Sequence, residues 1–496
     1  MANTWFKKPI SDLIADAELH AENGLKKTLN SWALISLGIG AIIGAGLFVR
    51  TAAAAAQNAG PSVTLGFIVA AIGCALAGLC YAELSSSIPI AGSAYTYSYA
   101  TMGEFFAWII GWDLVLEYAV GAATVGIAWS EYLNNLLTNV LGLPAIPYQW
   151  CHSPFQMSDA GVSGIINIPA LFIILLLSLL LIKGTQESAL VNNLIVITKV
   201  AIVILIIVIG WGFINPANHA IYIPEASQYI DPQGIAHNYG GIMGILGAAG
   251  VVFFAFIGFD AVSTAAQEAK NPKRDMPIGI LGSLAICTVL YILFAHVLTG
   301  VATVEDFRTT GREASVSFAI NKYMVGYGWL GKLVTVAILA GFSSVILVML
   351  LGQSRVFYSM SRDGLLPKVF SDLHPEYRTP YKANLIIFII VGIFAAFIPG
   401  DIVGDMTSIG TLFAFILVCI AVIILRKTDP DIKREFKTPW VPIIPILGVI
   451  VCGAMIFGLG WTNWARLIVW LLIGFMIYFG YSKKHSVLRN KLNSGK

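Results

Sequence analysis

Four glycines in nine residues, inside an apolar run, are the residues whose type and spacing point first to chemistry. They are Gly38, Gly40, Gly44 and Gly46, and the run extends from about residue 33 to residue 56. Glycine weakens a helix interior by about 1 kcal/mol and takes positive φ easily, so the cluster predicts a broken helix. Within a membrane, a break frees N–H and C=O groups that must bind protein, water or a solute. The alternative is close packing of two helices through small residues.

A lysine near the middle of another apolar run is the second such residue. Lys199 lies in VNNLIVITKVAIVILIIV, about equally far along the chain from Lys183 and Trp211. A lysine in the middle of a membrane span usually faces other helices and has a partner or a function. Burial disfavours the charged form, so this residue could exchange a coupling proton near physiological pH. The alternative is a static charge that pairs with Glu117 or another carboxylate.

Two carboxylates and a serine are further candidates for contact with a solute. Asp113 and Glu117 are four residues apart and therefore share one face of a helix. They would form a negative wall for a cationic side chain, a hydrogen-bonded structural pair, or a partner for Lys199. Ser343 could face a bound solute or bond back to its own helix. The sequence shows neither a nucleophile–base pair nor a metal-ligand pattern, so it predicts no enzyme, no metal site and no cofactor.

The elements that must position these residues are membrane-spanning helices. Of the 496 residues, 57% are hydrophobic and only 11% are charged, whereas about a quarter of the residues in soluble proteins are charged. Apolar runs of roughly 20 residues follow one another along the chain, about twelve in all. The sequence therefore predicts an all-α integral membrane protein with 12 transmembrane helices. The small formal net charge of +3 gives no indication of a nucleic-acid partner.

The distribution of lysine and arginine predicts the orientation. These residues are concentrated in the N-terminal arm, in the loops after spans 4, 6, 8 and 10, and in the C-terminal tail. The opposite side has only a few, namely Arg308, Arg312, Lys322 and Arg466. Because basic loops stay in the cytoplasm, both termini are predicted to be cytoplasmic, in the plasma (inner) membrane.

The first and sixth predicted spans both contain a small-residue interruption. The sixth span, about residues 239–265, is glycine-rich in its first half and has Phe253 to Gly258 at mid-depth. If residues 33–213 and 239–425 are two units of five spans, the two interrupted spans occupy matching positions. Because five is an odd number, the units are then inverted repeats whose broken helices meet at the membrane midplane. This pairing favours a solute site over close packing.

The remaining segments and the expected backbone contacts follow from this arrangement. Residues 1–32 are predicted to be a cytoplasmic arm, residues 441–481 to contain spans 11 and 12, and residues 482–496 to be a cytoplasmic tail. The N–H groups of Gly44, Ala45 and Gly46 are predicted to hold a carboxylate. The carbonyl groups predicted to hold an ammonium lie near Ile42, Phe254, Ala255 and Ile257.

The chain resembles the amino acid–polyamine–organocation superfamily, and within it the bacterial relatives of the cationic amino acid transporters. The motifs that carry the resemblance are GIGAIIGAGLFV, CYAELSSSIPIAGSAYTYSY, GWDLVLEYAVG, FFAFIGFDAVSTAAQEAKNPKRDMPIGI and GQSRVFYSMSRDGLLP. The resemblance implies a LeuT-like fold of five plus five spans with two further helices. It also implies a substrate on the two breaks, a coupling proton on Lys199 and Glu117 near the substrate's side chain. At Ala45 the chain departs from relatives that often carry serine or threonine.

These inferences together predict a secondary active amino acid transporter, coupled to protons, for a cationic or small neutral L-amino acid. The alternatives are an exchanger without proton coupling and an amino acid sensor or channel with the same fold. The expected partners are an L-amino acid, protons and the lipid bilayer. A small single-span membrane protein remains a possible further partner.

Overall fold

A computed structural model shows the chain as a bundle of helices. The structure describes residues 7–9, 29–88, 93–158, 160–183, 189–231, 234–264, 269–309, 314–377 and 379–493. The predicted N-terminal arm therefore lies largely outside the described residues, as does Arg312 of the predicted orientation.

The first half of the chain forms helices and one short hairpin. Its helices are α1 (Ser31–Ile42), α2 (46–59), α3 (Val63–Ser87), α4 (Ser93–Thr101), α5 (Glu104–Val140), α6 (Ile168–Lys183) and α7 (Ala189–Trp211). Strand β1 (Ser227–Ile230) pairs antiparallel with β2 (Ala236–Tyr239), with Ser227 opposite Tyr239. The sequence predicts only a loop at this place.

The second half of the chain is helical in its ordered elements. Its helices are α8 (Gly241–Phe256), α9 (Ala261–Thr264), α10 (Pro272–Val301), α11 (Val304–Arg308), α12 (Ser315–Tyr323), α13 (Gly328–Arg362), α14 (Tyr381–Phe397), α15 (Gly400–Thr428), α16 (Ile443–Gly458), α17 (Trp461–His485) and α18 (Val487–Asn493).

Length and apolar composition fit the bundle to a membrane. Among the described residues, seven helical segments are long and apolar enough to cross one, and five shorter apolar helices accompany them. Large apolar side chains such as Ile197, Val208 and Ile450 are exposed at the outer surface of the bundle, where lipid would cover them. The chain is therefore a multi-pass membrane protein.

The two ends of the bundle differ in what they carry. At one end, Asp363 accepts a hydrogen bond from Lys8 Nζ at 3.1 Å, and its carbonyl accepts from Val487 N at 3.0 Å. The N-terminal and C-terminal parts of the chain thus meet there, and we call it the terminal end. The opposite end carries β1 and β2, where Gly240 N donates to the Asn58 carbonyl at 2.7 Å. We call it the hairpin end.

Buried ion pairs fix the terminal end. The Glu83 carboxylate is fully buried and accepts from Arg426 Nε at 2.9 Å and Nη2 at 2.7 Å. The Glu104 carboxylate, also fully buried, accepts from Arg489 Nε at 2.6 Å and from the Tyr478 hydroxyl at 3.0 Å. Because Arg489 belongs to α18, this second pair holds the C-terminal helix against the start of α5.

Candidate functional site

The first interruption separates α1 from α2 at Ile43 and Gly44. Ile43 has an extended backbone, with φ −73° and ψ 105°, which ends the helix at Ile42. The Gly44 carbonyl then accepts from Leu47 N at 3.2 Å and Phe48 N at 3.4 Å, which starts the first turn of α2. In that first turn, N–H groups have no carbonyl one turn earlier.

Three adjacent N–H groups remain available at this first turn. Within the part of the chain that the structure describes, no protein acceptor is bonded to the N–H of Gly44, Ala45 or Gly46. The three residues are buried, so water is largely excluded around them. A helix N-terminus of this kind favours an anionic group. The arrangement can bind a carboxylate.

The second interruption follows α8 and lies directly against the first. Ile257 has an extended backbone with ψ 137°, and Gly258 has φ +110°. A Cβ on Gly258 would lie 2.9 Å from the Ala41 carbonyl oxygen, and a Cβ on Gly46 would lie 2.2 Å from Ala255 Cα. Both positions therefore require glycine, because the two interrupted segments touch through their backbones.

A tyrosine that the sequence analysis missed joins the two interruptions. The Tyr291 hydroxyl, on α10, lies 3.0 Å from the Ile42 carbonyl oxygen and 3.0 Å from the Ala255 carbonyl oxygen. Its ring is fully buried and contacts Phe256 at a centroid distance of 5.2 Å. Its single hydroxyl proton can thus be donated to either of two carbonyl groups that are predicted to hold an ammonium. A hydroxyl in the middle of a buried apolar helix was the signal that could have identified it.

Lys199 lies beside the same break, with its ammonium directed at the end of α1. The side chain is 3% exposed, and Nζ donates to the Gly40 carbonyl at 2.8 Å. The aliphatic stem packs against Gly341 of α13, where a Cβ would lie 3.1 Å from Lys199 Cε. Together with Ile43 and Gly44, Lys199 lines a crevice too narrow for a water molecule. The lysine is therefore buried against the freed backbone.

The buried carboxylates form a separate group on the α5 side. Glu117 is fully buried and lies near Asp260, the residue that follows the second interruption. Asp260 also accepts from the Tyr118 hydroxyl at 2.6 Å. Asp113 is buried beside α15, where a Cβ on Gly410 would lie 3.3 Å from its Oδ1. Glu117 therefore lies near the second break, on the side of Asp260.

Ser343 of α13 and Phe254 of the second break are the remaining predicted site residues. Ser343 donates to the Leu339 carbonyl at 3.0 Å and accepts from Trp129 Nε1 at 3.1 Å, so its hydroxyl faces α5. Val345, two residues further along α13, instead faces Gly44, where a Cβ would lie 3.1 Å from its Cγ2. Phe254 is buried at the second break, directly before Ala255.

Comparison with known proteins gives a consistent set of relatives. A family model described as amino acid permease matches residues 29–482. The branched-chain amino acid permease BcaP of Bacillus subtilis is 42% identical over 97% of this chain and 98% of its own length. The methylthioribose transporter of Bacillus subtilis is 40% identical over 98% of this chain and all of its own length. The chloroplastic cationic amino acid transporter 9 of Arabidopsis thaliana is 35% identical over 88% of this chain and 73% of its own length.

Proposed function

Because the chain belongs to the amino acid permease family, we propose that it is a proton-coupled secondary active transporter of an L-amino acid. Its relatives are permeases and transporters, and it is not an enzyme. The observation that carries the proposal is the contact between two interrupted helices, beside three adjacent buried N–H groups that have no protein acceptor in the described residues. The substrate is a cationic or small neutral amino acid, and alternating access moves it across the plasma membrane.

The proposal includes an arrangement of twelve spans. Joining α1 with α2, and α8 with α9, gives two interrupted spans, and ten single helices complete the set. Spans 1–5 and 6–10 then form inverted repeats, with the substrate at their interface, and spans 11 and 12 lie outside them. Both termini are cytoplasmic in this proposal, because the basic loops belong to the terminal end.

The backbone binds the two charges that every α-amino acid shares. The substrate carboxylate binds the N–H groups of Gly44, Ala45 and Gly46, at the positive end of α2. The ammonium binds carbonyl oxygens of Ile42 and of the second break. Carbonyl oxygens have two lone pairs, so an ammonium can use them even though Tyr291 donates there as well.

Protein side chains around the break then determine which substrate side chain is accepted. Val345 beside Gly44 offers apolar contact, which suits an aliphatic side chain. The buried Glu117 and Asp260 carboxyl groups offer oxygen acceptors, which suit the donors of a basic one. Relatives of this chain include a branched-chain permease and cationic amino acid transporters.

Lys199 couples the proton to the backbone of α1 in this proposal. Its ammonium donates to the Gly40 carbonyl, two residues before the end of the helix. Loss of the proton turns a charged donor into a weak neutral one and loosens the hold on α1. Since charging an ammonium in a dry crevice costs free energy, movement of α1 and protonation of Lys199 are linked.

Uptake by proteoliposomes tests the function directly. The purified protein is reconstituted, and labelled L-leucine, L-alanine, L-lysine, L-arginine and methylthioribose are supplied with and without an inward proton gradient. Accumulation of an amino acid that requires the gradient supports the proposal. Equal exchange with and without the gradient indicates an uncoupled exchanger, and binding without accumulation indicates a sensor or channel.

Replacing the lysine tests the coupling step. Lys199→Ala is expected to remove the gradient dependence of uptake while exchange between loaded vesicles continues in part. Lys332→Ala is the matched control, because Lys332 is exposed near the start of α13. Gradient-driven uptake that is unchanged in Lys199→Ala and in the control would refute the assignment of the proton to Lys199.

A further inference from the structure

We propose that His219 and His296 form a latch at the hairpin end, which holds a loop against α10 at neutral pH and releases it in acid. The loop comprises residues 212–226 and connects the end of α7 to β1. We call it the latch loop. This inference goes beyond the transport function proposed above and does not depend on which solute the protein carries.

Two donors of the latch loop bind the same carbonyl at the end of α10. The Gly300 carbonyl accepts from Asn215 N at 3.0 Å and from Asn218 Nδ2 at 2.8 Å. A Cβ on Gly300 would lie 3.1 Å from His219 Cε1, so the imidazole ring lies directly against this last turn. His219 is therefore placed at the contact that attaches the loop to the helix.

A hydroxyl next to Gly300 determines which ring nitrogen of His219 carries the proton at neutral pH. Thr299 has one hydroxyl proton and donates it within its own helix, to the Ala295 carbonyl at 2.9 Å. Its oxygen therefore accepts from Nε2–H of His219, at a distance of 3.1 Å. Nδ1 is then the nitrogen without a proton, and acid adds a proton there.

The second histidine lies against the first. His296 belongs to α10, and the centroids of the two imidazole rings are 4.6 Å apart. Both side chains are half-buried, and within the described residues neither forms an ion pair with a carboxylate. Burial and the neighbouring His296 ring lower the pKa of His219 below its ordinary value. If both rings were protonated at this distance, they would repel each other.

The other rings that contact this pair do not change charge near neutral pH. Tyr222 of the latch loop contacts the His219 ring at a centroid distance of 5.6 Å. Trp211 of α7 contacts the His296 ring at 5.5 Å. A tyrosine loses its proton only near pH 10, and a tryptophan has no charge to change. The response of this contact to acid therefore comes from the two histidines.

Acid shifts the latch toward the open state because the two states differ in proton affinity. A histidine in the opened loop has the ordinary pKa of about 6.5, whereas the pKa of His219 in the closed latch is lower. Below about pH 6.5 the opened loop therefore binds a proton that the closed latch does not hold. At pH 5.5, one unit lower, the open fraction can increase up to about tenfold through this residue alone.

The latch lies at the hairpin ends of two helices that contact α1. The two helices, α7 and α10, approach each other closely there, since a Cβ on Gly210 would lie 2.5 Å from Val297 Cγ1. Further along, Lys199 of α7 and Tyr291 of α10 contact carbonyl groups of α1. Acid at the hairpin end therefore releases a loop that is attached to both helices that hold the first break.

Hydrogen–deuterium exchange of the full chain in lipid nanodiscs tests the latch without any substrate. Exchange of residues 212–222 is measured at pH 7.5 and at pH 5.5, with labelling times scaled for the intrinsic pH dependence of exchange. The protection of the latch loop is expected to fall about five- to tenfold at pH 5.5, while the interior of α13 keeps its protection. Addition of EDTA at pH 7.5 is expected to change neither.

Two variants remove the titrating groups. His219→Gln supplies a neutral N–H donor for Thr299, and His296→Phe keeps a ring beside His219 without its charge. Both variants are expected to protect the latch loop at pH 7.5. At pH 5.5, His219→Gln is expected to keep its protection, and His296→Phe is expected to lose less protection than the unmodified protein.

A histidine at the same end of the bundle provides the matched control. His237 Nε2 lies 2.9 Å from Asp231 Oδ2, and a neighbouring carboxylate stabilises a protonated ring. Protonation of His237 therefore does not favour opening. His237→Gln is expected to respond to acid in residues 212–222 as the unmodified protein does.

The outcomes decide the proposal independently of transport. Equal protection at both pH values in the unmodified protein overturns it, as does an undiminished loss in His219→Gln. A loss that extends to α13, or one that disappears in His237→Gln, also overturns it, because the first is general destabilisation and the second assigns the titration to another residue. Protection that falls with EDTA assigns the pair to a metal ion instead. If His219→Gln is unprotected already at pH 7.5, His296→Phe decides, and an undiminished loss in acid there overturns the latch.

Discussion

Removal of one hydroxyl at the contact between the two broken helices should lower the folding stability of the protein and increase the stabilisation that bound substrate provides. Tyr291→Phe keeps the ring packed against Phe256 and removes the hydroxyl that lies against the Ile42 and Ala255 carbonyls. The one proton that these two buried acceptors share is then lost, which costs about 1–3 kcal/mol. We expect the substrate-free protein to lose that much stability.

The proposed substrate ammonium would donate to the same carbonyl oxygens. Substrate binding should therefore recover part of the lost free energy in Tyr291→Phe, and the recovered part appears as tighter binding. An upper limit follows from the same 1–3 kcal/mol, which corresponds to about 5- to 150-fold in the dissociation constant. Because a tightly bound substrate leaves slowly, the maximal rate of transport should fall.

Thermal unfolding in detergent, with and without the transported amino acid, measures both effects. The control is Tyr377→Phe, whose hydroxyl belongs to a side chain that is 42% exposed at the terminal end. A midpoint like that of the unmodified protein would show that the Tyr291 hydroxyl bond contributes little. A lowered midpoint whose substrate-induced rise equals that of the unmodified protein would place the ammonium elsewhere.

Two further predictions concern charges at the ends of the bundle. Glu104→Gln leaves the Arg489 side chain, which is 6% exposed, without its carboxylate and should cost about 3–5 kcal/mol of unfolding free energy. Unfolding in mixed micelles measures this loss, and the double variant with Arg489→Met should recover most of it. A loss below about 1 kcal/mol in Glu104→Gln contradicts the reasoning. Burial disfavours the ionised form of Asp306, but hydrogen bonds from Lys322 and Tyr323 outweigh this effect and lower the pKa of Asp306 to about 2. In an unfolded chain the pKa is about 3.9. The contribution of Asp306 to folding stability is therefore complete at neutral pH and is lost as the pH falls from about 4 to about 2. The difference in melting temperature between Asp306→Asn and the unmodified protein should then shrink from pH 7 to pH 3. A difference that stays constant would contradict the ion pair.

Features that depend on local backbone preference could be predicted from the sequence. Glycine spacing placed the first interruption between Ile42 and Gly46, and α1 ends at Ile42 with Ile43 extended. The second interruption was expected from Phe253 to Gly258, and the chain leaves the helix at Ile257, where Gly258 takes positive φ. The burial of Lys199 followed from its central position in an apolar run.

Features that depend on how helices rotate against each other could not be predicted from the sequence. Every residue of an apolar helix is a plausible neighbour of the break until its rotation is known, so the sequence does not single out Val345 as the residue that faces Gly44. Tyr291 lies thirty-six residues beyond Ala255 in sequence and meets it only through packing of α10. One partner of Lys199 is the Gly40 carbonyl, and a backbone carbonyl has no sequence signal.

The freed backbone groups of the two breaks are not equally provided with partners, and this difference constrains the ligand. Lys199 donates to the Gly40 carbonyl, and the Tyr291 hydroxyl can donate its one proton to Ile42 or to Ala255, so side chains already supply donors to the carbonyl side. The N–H groups at the start of α2 have no such protein acceptor in the described residues.

A ligand at this site must therefore bring an acceptor, and a carboxylate is the acceptor common to every amino acid. The backbone would then fix the part that all candidate substrates share, and only side chains would need to differ between a branched-chain permease and a cationic amino acid transporter. Methylthioribose lacks a carboxylate. If this chain transports methylthioribose in preference to every amino acid, the N–H groups of α2 are not its principal binding site.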